Sequence, residues 1–368
     1  MKTIYVVAGE ASGDQHGAAL MRALKKQNPS LRLFAAGGAG MRAEAPEGFV
    51  ETAHLHATGL TEVLKLLPQF VALMKTVVAS VRAAKPDLVV MIDNPGFNLR
   101  LARRLLPLGI PMAYYICPQI WAWKENRIHF MKRAFKKALV VFDFEQEIYR
   151  KHGMPVAWVG HPLAQRVPSQ NGNIRASGKK KILILPGSRK NEVSVLLPIL
   201  CNAAQRIFSA DPNCTFELLE APTLPREYYD DILLRSPIPL GRVIGDKYDA
   251  MASADLGLVC SGTATLECAL MGLPMIVVYR ASWLTYVVAR LVAKVRFLSL
   301  PNLLAGRQLV PELLQYDATP DKISTTALSM LRAPDRLKAM RSDLSQLTGR
   351  MGTSDASETA AAELLQLL

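Results

Sequence analysis

Short apolar runs alternate with helix-like stretches along most of this chain, and the series starts twice. Residues 3–8 read as a strand, 17–27 as a helix and 31–36 as a second strand; 87–93 is an apolar run ending in Asp93, followed by helical 99–106 and the strand 111–116. Such alternation builds βαβ units, whose parallel strands are covered on both faces and therefore read as near-continuous apolar runs. The stretch 168–180, rich in Ser, Asn, Gly and Lys, reads as a linker. A second set of strands opens at 181–185 and continues at 214–219, 241–244, 256–260 and 274–278. The expected architecture is α/β, with two Rossmann-like parallel-sheet domains, 1–168 and 169–344, facing a central cleft. Ligands in such sheets sit at the carboxyl ends of the strands. The tail from about 345, with a helix over 355–368, has no strand after it and is expected to pack back on the first domain.

The 368 residues suit two domains of roughly 150 each. Half of the residues are hydrophobic and 20% are charged, which excludes disorder and lets each half bury a core. The formal charge of +13 calls for an anionic partner: nucleic acid, an anionic membrane surface or a phosphorylated substrate. Its basic residues lie in small scattered groups, with no long basic tail or nucleic-acid motif, so nucleic acid is not expected. Cysteines at 117, 201, 214, 260 and 268 form no Cys-x-x-Cys pair and read as reduced, cytosolic thiols. The first strand is too short for a signal segment, and no uncharged apolar stretch approaches about 18 residues, so no bilayer span is expected. The histidines lack metal-ligand spacing, His54 and His56 being a weak pair, so no metal is expected.

Five loops follow strands and face the expected cleft. The first holds Gly9, Glu10, Ser12, Gly13, Asp14, His16 and Gly17. It stands where a dinucleotide fingerprint would, but Gly-x-Gly-x-x-Gly is absent and two carboxylates would repel a pyrophosphate. Glu10 and Asp14 suit sugar hydroxyls; alternatively Ser12 or Asp14 simply caps a helix. In the second loop, Asp93 ends a buried strand, where burial makes a carboxylate a proton acceptor, and Asp93-Asn94-Pro95-Gly96 is strong turn chemistry. The third places Trp121 and Trp123 one residue apart, to stack on sugars, line an acyl site or pack a core.

The second half carries the other two. Gly187, Ser188 and Arg189 offer a close backbone approach and phosphate donors. The run Ser261, Gly262, Thr263, Ala264, Thr265, Leu266, Glu267 stops a strand and starts a helix expected over 263–270. Its free N–H groups and dipole end can hold a diphosphate, helped by the Ser261 and Thr263 hydroxyls. Glu267, one turn on, can accept from both ribose hydroxyls. Two amphipathic stretches, 60–78 and the basic 283–297, suit a membrane surface, an acylated ligand, a core or a dimer contact.

Taken together, Gly-Glu-Ala-Ser-Gly-Asp at 9–14, Asp-x-Pro-x-Phe-Asn at 93–98, Pro-x-x-Trp-Ala-Trp at 118–123, Gly160-His161-Pro162, Leu-Pro-Gly-Ser-Arg at 185–189, Ser-Gly-Thr-Ala-Thr-Leu-Glu at 261–267, and the stretches 299–307 and 310–315 resemble the lipid-A-disaccharide synthases. The ordered set covers most of the chain. The resemblance implies a GT-B glycosyltransferase without cofactor or metal. It implies transfer of 2,3-diacylglucosamine from its UDP derivative to 2,3-diacylglucosamine 1-phosphate (lipid X), giving the β(1→6) disaccharide 1-phosphate and UDP. It also implies a cytoplasmic enzyme, peripheral on the anionic inner-membrane surface, with a tendency to form a homodimer. Asp93, Arg189 and Asn302 match residues important for activity in the family. Gly96 stands where an acid is common, and Cys117 and Lys124 replace a usual Ser and Arg. These departures bear on acceptor or acyl-chain preference more than on reaction type.

On this reading Asp93 is the general base, with Glu10 or Asp14 as substitutes. Arg189 and the 261–267 helix end stabilise departing UDP. Asn302 and Arg307 position the donor phosphate or sugar. Ser12, Gly13, His16, Asn98, Trp121 and Trp123 form the acceptor and acyl side. The rival readings are another GT-B enzyme, either a lipid-linked N-acetylglucosaminyl transferase or a UDP-N-acetylglucosamine epimerase, and a non-catalytic binder of acylated sugar phosphates.

Overall fold

Strand-forming runs flanked by helices on both sides leave one arrangement open to the chain, and the computed structural model shows it twice. It describes residues 1–52, 60–121, 125–168, 178–222, 224–243, 246–281, 296–352 and 354–368. Trp123, His54, His56, most of the linker and nearly all of the basic 283–297 stretch lie outside the described residues.

The first unit comprises Met1–Pro162 and Met351–Leu368. Its strands are β1 (Thr3–Ala8), β2 (Arg32–Gly37), β3 (Val50–Glu51), β4 (Leu88–Ile92), β5 (Met112–Tyr115), β6 (Lys137–Val140) and β7 (Val156–Trp158). Among the described residues they form a parallel sheet in the order β3-β2-β1-β4-β5-β6-β7. The pleat explains the unbroken apolar runs. Tyr5, Val7, Val89, Met91, Met112 and Tyr114 join a core on one face with Met74, Val77 and Val81 of the helix Leu60–Ala84. Their neighbours Ile4, Val6, Leu88, Val90, Ala113 and Tyr115 join a core on the other, with Leu20, Met21 and Leu24 of the helix Ala11–Gln27. Side chains alternate across a strand, so a strand buried on both faces has no polar phase. The helix Ala356–Leu365 buries Ala360, Ala361 and Leu364 on that second face, and Lys26 pairs there with Glu358.

The second unit is Leu163–Arg350. Its strands are β8 (Lys180–Leu185), β9 (Cys214–Leu219), β10 (Gly241–Val243), β11 (Leu256–Cys260), β12 (Met275–Tyr279) and β13 (Glu312–Leu314). They pair in parallel in the order β10-β9-β8-β11-β12-β13. The crossover helix Lys190–Ala210 is, by length and composition alone, long and apolar enough to cross a membrane. Here its apolar stripe of Val193, Leu196, Leu197 and Leu200 is buried within the unit. All five cysteines are free and buried.

In each unit the strand order reverses beside the first strand, between β1 and β4 and between β8 and β11. That switch point opens a crevice at the carboxyl ends of the two strands, because the crossovers leaving them run to opposite faces.

Three boundaries correct the sequence expectation. The first helix begins at Ala11, not at residue 17, so the expected loop is largely the helix's first turns. Its glycines serve close packing: a Cβ on Gly17 would stand 2.3 Å from the Met41 Sδ, and one on Gly13 would stand 3.2 Å from the Ala8 Cβ. Neither Ser12 nor Asp14 is the cap, which is Glu10. The Asp-Asn-Pro-Gly turn is likewise a helix entry, Pro95–Leu105, with Asn94 as N-cap accepting from the Phe97 N–H and Pro95 at the first position. The helix after Arg189 starts at Lys190, two residues early, because Glu192 closes a capping box on Arg189.

Candidate active site

The first unit gathers its candidates at the β1/β4 switch point. Asp93 and Asn94 directly follow β4 with φ of 49° and 39°. Aspartate and asparagine tolerate this left-handed region better than other residues, but two in a row need support. The Asp93 N–H donates to the Tyr115 carbonyl (3.0 Å), and its own carbonyl accepts from Asn98 Nδ2 (2.7 Å) and the Tyr114 hydroxyl (2.6 Å). Gly9 completes the seat, since a Cβ there would meet Asn94 Nδ2 at 2.7 Å. Burial raises the Asp93 carboxyl to about 6, the Asn94 amide works against the rise, and the Glu10 charge adds to it. Glu10 thus lies within electrostatic reach of Asp93 and is itself exposed.

Other expected residues have different jobs. Asp14 accepts from the backbone N–H groups of Gly38, Gly40 and Met41, each at 2.9 Å. Three backbone amides occupy it, so it anchors a loop and is a poor substitute for the base. Asn98, expected on the acceptor side, is fully buried, and its amide donates to the Ile92 and Asp93 carbonyls. It braces Asp93 instead of facing a ligand. Ser12 is exposed on the first turn, Gly13 is buried, and His16 is partly buried beside His161, which burial and His16 hold down at about 3. Trp121 is partly buried, donating its indole N–H to Glu145 at 3.0 Å.

In the second unit the β8/β11 switch point brings together the two expected donor loops. Gly187 has φ 113°, and a Cβ there would stand 2.6 Å from Glu192 Oε2. Glu192 accepts from the N–H groups of Ser188 (3.1 Å) and Arg189 (3.3 Å) and from the exposed Arg189 guanidinium (3.1 Å). The helix Thr263–Leu270 starts at the residue expected, with Ser261 partly exposed, Gly262 and Thr263 exposed, and Ala264 partly exposed. Gly262 sits at φ 154°, ψ −161°, a region open essentially to glycine alone, and among the described residues nothing beyond its chain neighbours lies within 4 Å of where its Cβ would be. No side chain caps the helix; the Thr265 N–H donates to the Gly262 carbonyl (3.1 Å), which leaves the Thr263 and Ala264 N–H groups at its open end.

Glu267 has a partner the sequence reading missed. It is nearly buried, and Lys247 donates to its Oε1 at 2.6 Å, with the Tyr248 hydroxyl at 3.5 Å from the same oxygen. Burial alone would lower Lys247, but the hydrogen bond and charge of Glu267 leave it raised. Lys247 follows the carboxyl end of β10, a position the strand-end rule applies to as well as to the loops it did single out.

A family model described as Lipid-A-disaccharide synthetase matches residues 4–365. The chain belongs to this family. The lipid-A-disaccharide synthase of Syntrophus aciditrophicus is 39% identical over 100% of this chain and 98% of its own, and that of Nitrosococcus oceani 40% over 95% and 92%. Among solved structures, a UDP-GlcNAc 2-epimerase from Neisseria meningitidis bound to UDP-GlcNAc superposes with a TM-score of 0.66 at 14% identity, covering 100% of both chains. The glycotransferase of kitacinnamycin gives 0.63 at 16%, covering 100% and 99%. The fold is GT-B, two parallel-sheet α/β units.

One further residue of this lipid-A-disaccharide synthetase family member corrects the sequence reading. Asn302 is fully buried and its amide is saturated: Nδ2 donates to the Val310 carbonyl and Glu312, and Oδ1 accepts from Leu309 and Val310. It shapes the loop at 299–310 and has nothing left for a donor phosphate. Arg307 is exposed and pairs with Asp343 at 3.0 Å.

Proposed function

We propose that the chain transfers 2,3-diacylglucosamine from UDP-2,3-diacylglucosamine to O6 of 2,3-diacylglucosamine 1-phosphate, with inversion and without a metal. The observation that carries this reading is Asp93. It is a carboxyl seated at a switch point by bonds to its backbone and poised near neutrality by burial. As the new C1–O bond forms and the C1–O–phosphate bond breaks, Asp93 takes the acceptor's hydroxyl proton and UDP departs with the electron pair. Arg189 and the open N-terminus of Thr263–Leu270 supply positive charge to the diphosphate, and Glu267, oriented by Lys247, accepts from the ribose.

Arg100 lies over Phe70 (5.5 Å), and Arg103 and Arg133 lie over Phe130 (4.8 and 5.7 Å). These basic and aromatic groups on helical surface support attachment to an anionic membrane, on the cytoplasmic side of the inner membrane. The test is incubation of the purified chain with both substrates in EDTA, with mass spectrometry for disaccharide 1-phosphate and UDP. Absence of both products overturns the reading.

Gly262 offers a second check. A Gly262→Val chain must leave the glycine-only region at about 1–3 kcal/mol, tilting the N–H groups at the helix start. UDP binding by calorimetry is expected to weaken about 5- to 100-fold.

A further inference from the structure

Glu145 is 1% exposed and opens the helix Glu145–Lys151. Its hydrogen bonds come from neutral donors, among them the Trp121 indole N–H at 3.0 Å on Oε1 and the Phe142 N–H at 3.2 Å on Oε2. No salt bridge to Glu145 occurs among the described residues. These bonds, with a further one from the Val141 backbone, do not offset the burial of a carboxylate; burial drives the group up to about 7, and the Asp143 charge adds to the rise. As a stabilising device it is therefore poor. Its geometric effect is specific, tying the loop after β5 to the corner after β6 through one indole nitrogen.

What that tie orients is an aromatic rim. Trp121 meets the edge of Phe144 (5.0 Å, 77°), Phe144 stacks with Phe142 (5.9 Å, 10°), and Phe142 meets His161 (5.3 Å). Trp121 and Phe144 are partly exposed, and Phe142 is buried behind them. The loop begins with strain, since Ile116 directly follows β5 at φ 57°, where a β-branched residue is an outlier. Tyr149 anchors the same loop from beneath by donating to the Pro118 carbonyl at 2.9 Å. All of this stands at the carboxyl edge of the sheet that carries Asp93 after the adjoining β4.

We propose that Glu145 is a positioning residue for the acceptor: it holds the Trp121 indole so that Trp121 and Phe144 present a fixed aromatic wall to the acceptor's pyranose and acyl groups. This rests on the acceptor assigned under the proposed function. An amphipathic aromatic face suits a sugar C–H surface and hydrocarbon alike. Phe144 and Glu145 then join Trp121 as determinants of acceptor choice.

The test uses the whole chain with Glu145→Gln, Trp121→Phe and both together. Glutamine can accept from only one of the two N–H groups, and phenylalanine keeps a ring but loses the donor. Each single change is expected to raise the acceptor KM about 10-fold, with donor KM and saturating kcat within about two-fold. The double variant should be no worse than the worse single one, because both changes act on the same bond. Additive effects, or equal rises in donor and acceptor KM, overturn the proposal. The Trp121 indole N–H resonance, assigned by its loss in Trp121→Phe, should shift in Glu145→Gln; an unmoved resonance also overturns it. That signal needs no turnover, so a parent chain that makes no disaccharide counts against the function and not against the tie. If Glu145→Gln does not fold, Trp121→Phe at its partly exposed position decides alone: an unchanged acceptor KM is contrary.

Discussion

Replacing Asp93 by Asn is expected to lower kcat by about 10²–10⁴-fold, the range for loss of a general base, while the protein stays folded. In the parent, kcat should climb as pH rises through about 6, because only the ionised carboxyl takes a proton. In Asp93→Asn that limb should vanish. Stability moves the opposite way. The folded carboxyl is raised from 3.8 to about 6, so its contribution is favourable at low pH and is lost as pH climbs through that window. At pH 8 the parent therefore carries a buried charge at a net cost on the order of 1–2 kcal/mol, after discounting for partial exposure. Asn removes it, and the variant should melt at or above the parent's temperature at pH 8 but not at pH 4. Near-parental turnover in Asp93→Asn would remove it as the base and turn attention to Glu10.

The second large effect belongs to Glu267. On the proposed function, truncation to Ala removes the carboxylate that accepts from the ribose hydroxyls, and it leaves Lys247, at 2.6 Å in the parent, without its partner. Removing one member of such a charge pair costs about 2–5 kcal/mol. The expected result is UDP binding weaker by about 30- to 5 × 10³-fold, with acceptor KM little changed. Isothermal titration with UDP and initial rates at varied acceptor separate the two. Equal losses on donor and acceptor would mean that Glu267 holds up the unit as a whole.

Some features of the candidate site were legible in the sequence and some were not, for physical reasons. Asp93 and the 261–267 run could be found because chemistry at a strand's carboxyl end announces itself: an apolar run stops abruptly on polar residues. Lys247 and Glu192 follow strands too, but each acts by pairing with a residue far along the chain or within the next turn, and no local pattern records that. Asn302 and Asn98 show the converse. Amide side chains read as ligands in a motif, yet here each holds backbone in place, and only the hydrogen bonds reveal it. Asp14 erred in the same way. A carboxylate near a helix start suits a sugar, but three amides from the β2 loop had already taken it.

The sequence by itself determined the fold class, the two-unit repeat and the position of the strand-end loops. Unbroken apolar runs admit one solution, strands covered on both faces, and helices between them force the strands parallel. It also placed the helix at Thr263, because a Ser-Gly-Thr break after a buried strand leaves little else for the backbone to do. Only the tertiary structure decided which loops share a switch point, since strand order depends on crossovers that no local pattern encodes. It alone decided that Asp93 is braced in the left-handed region, that Glu267 answers to Lys247, and that a buried carboxyl after β6 orients the indole after β5. Burial and pairing between distant residues set those properties, and both exist only once the chain is folded.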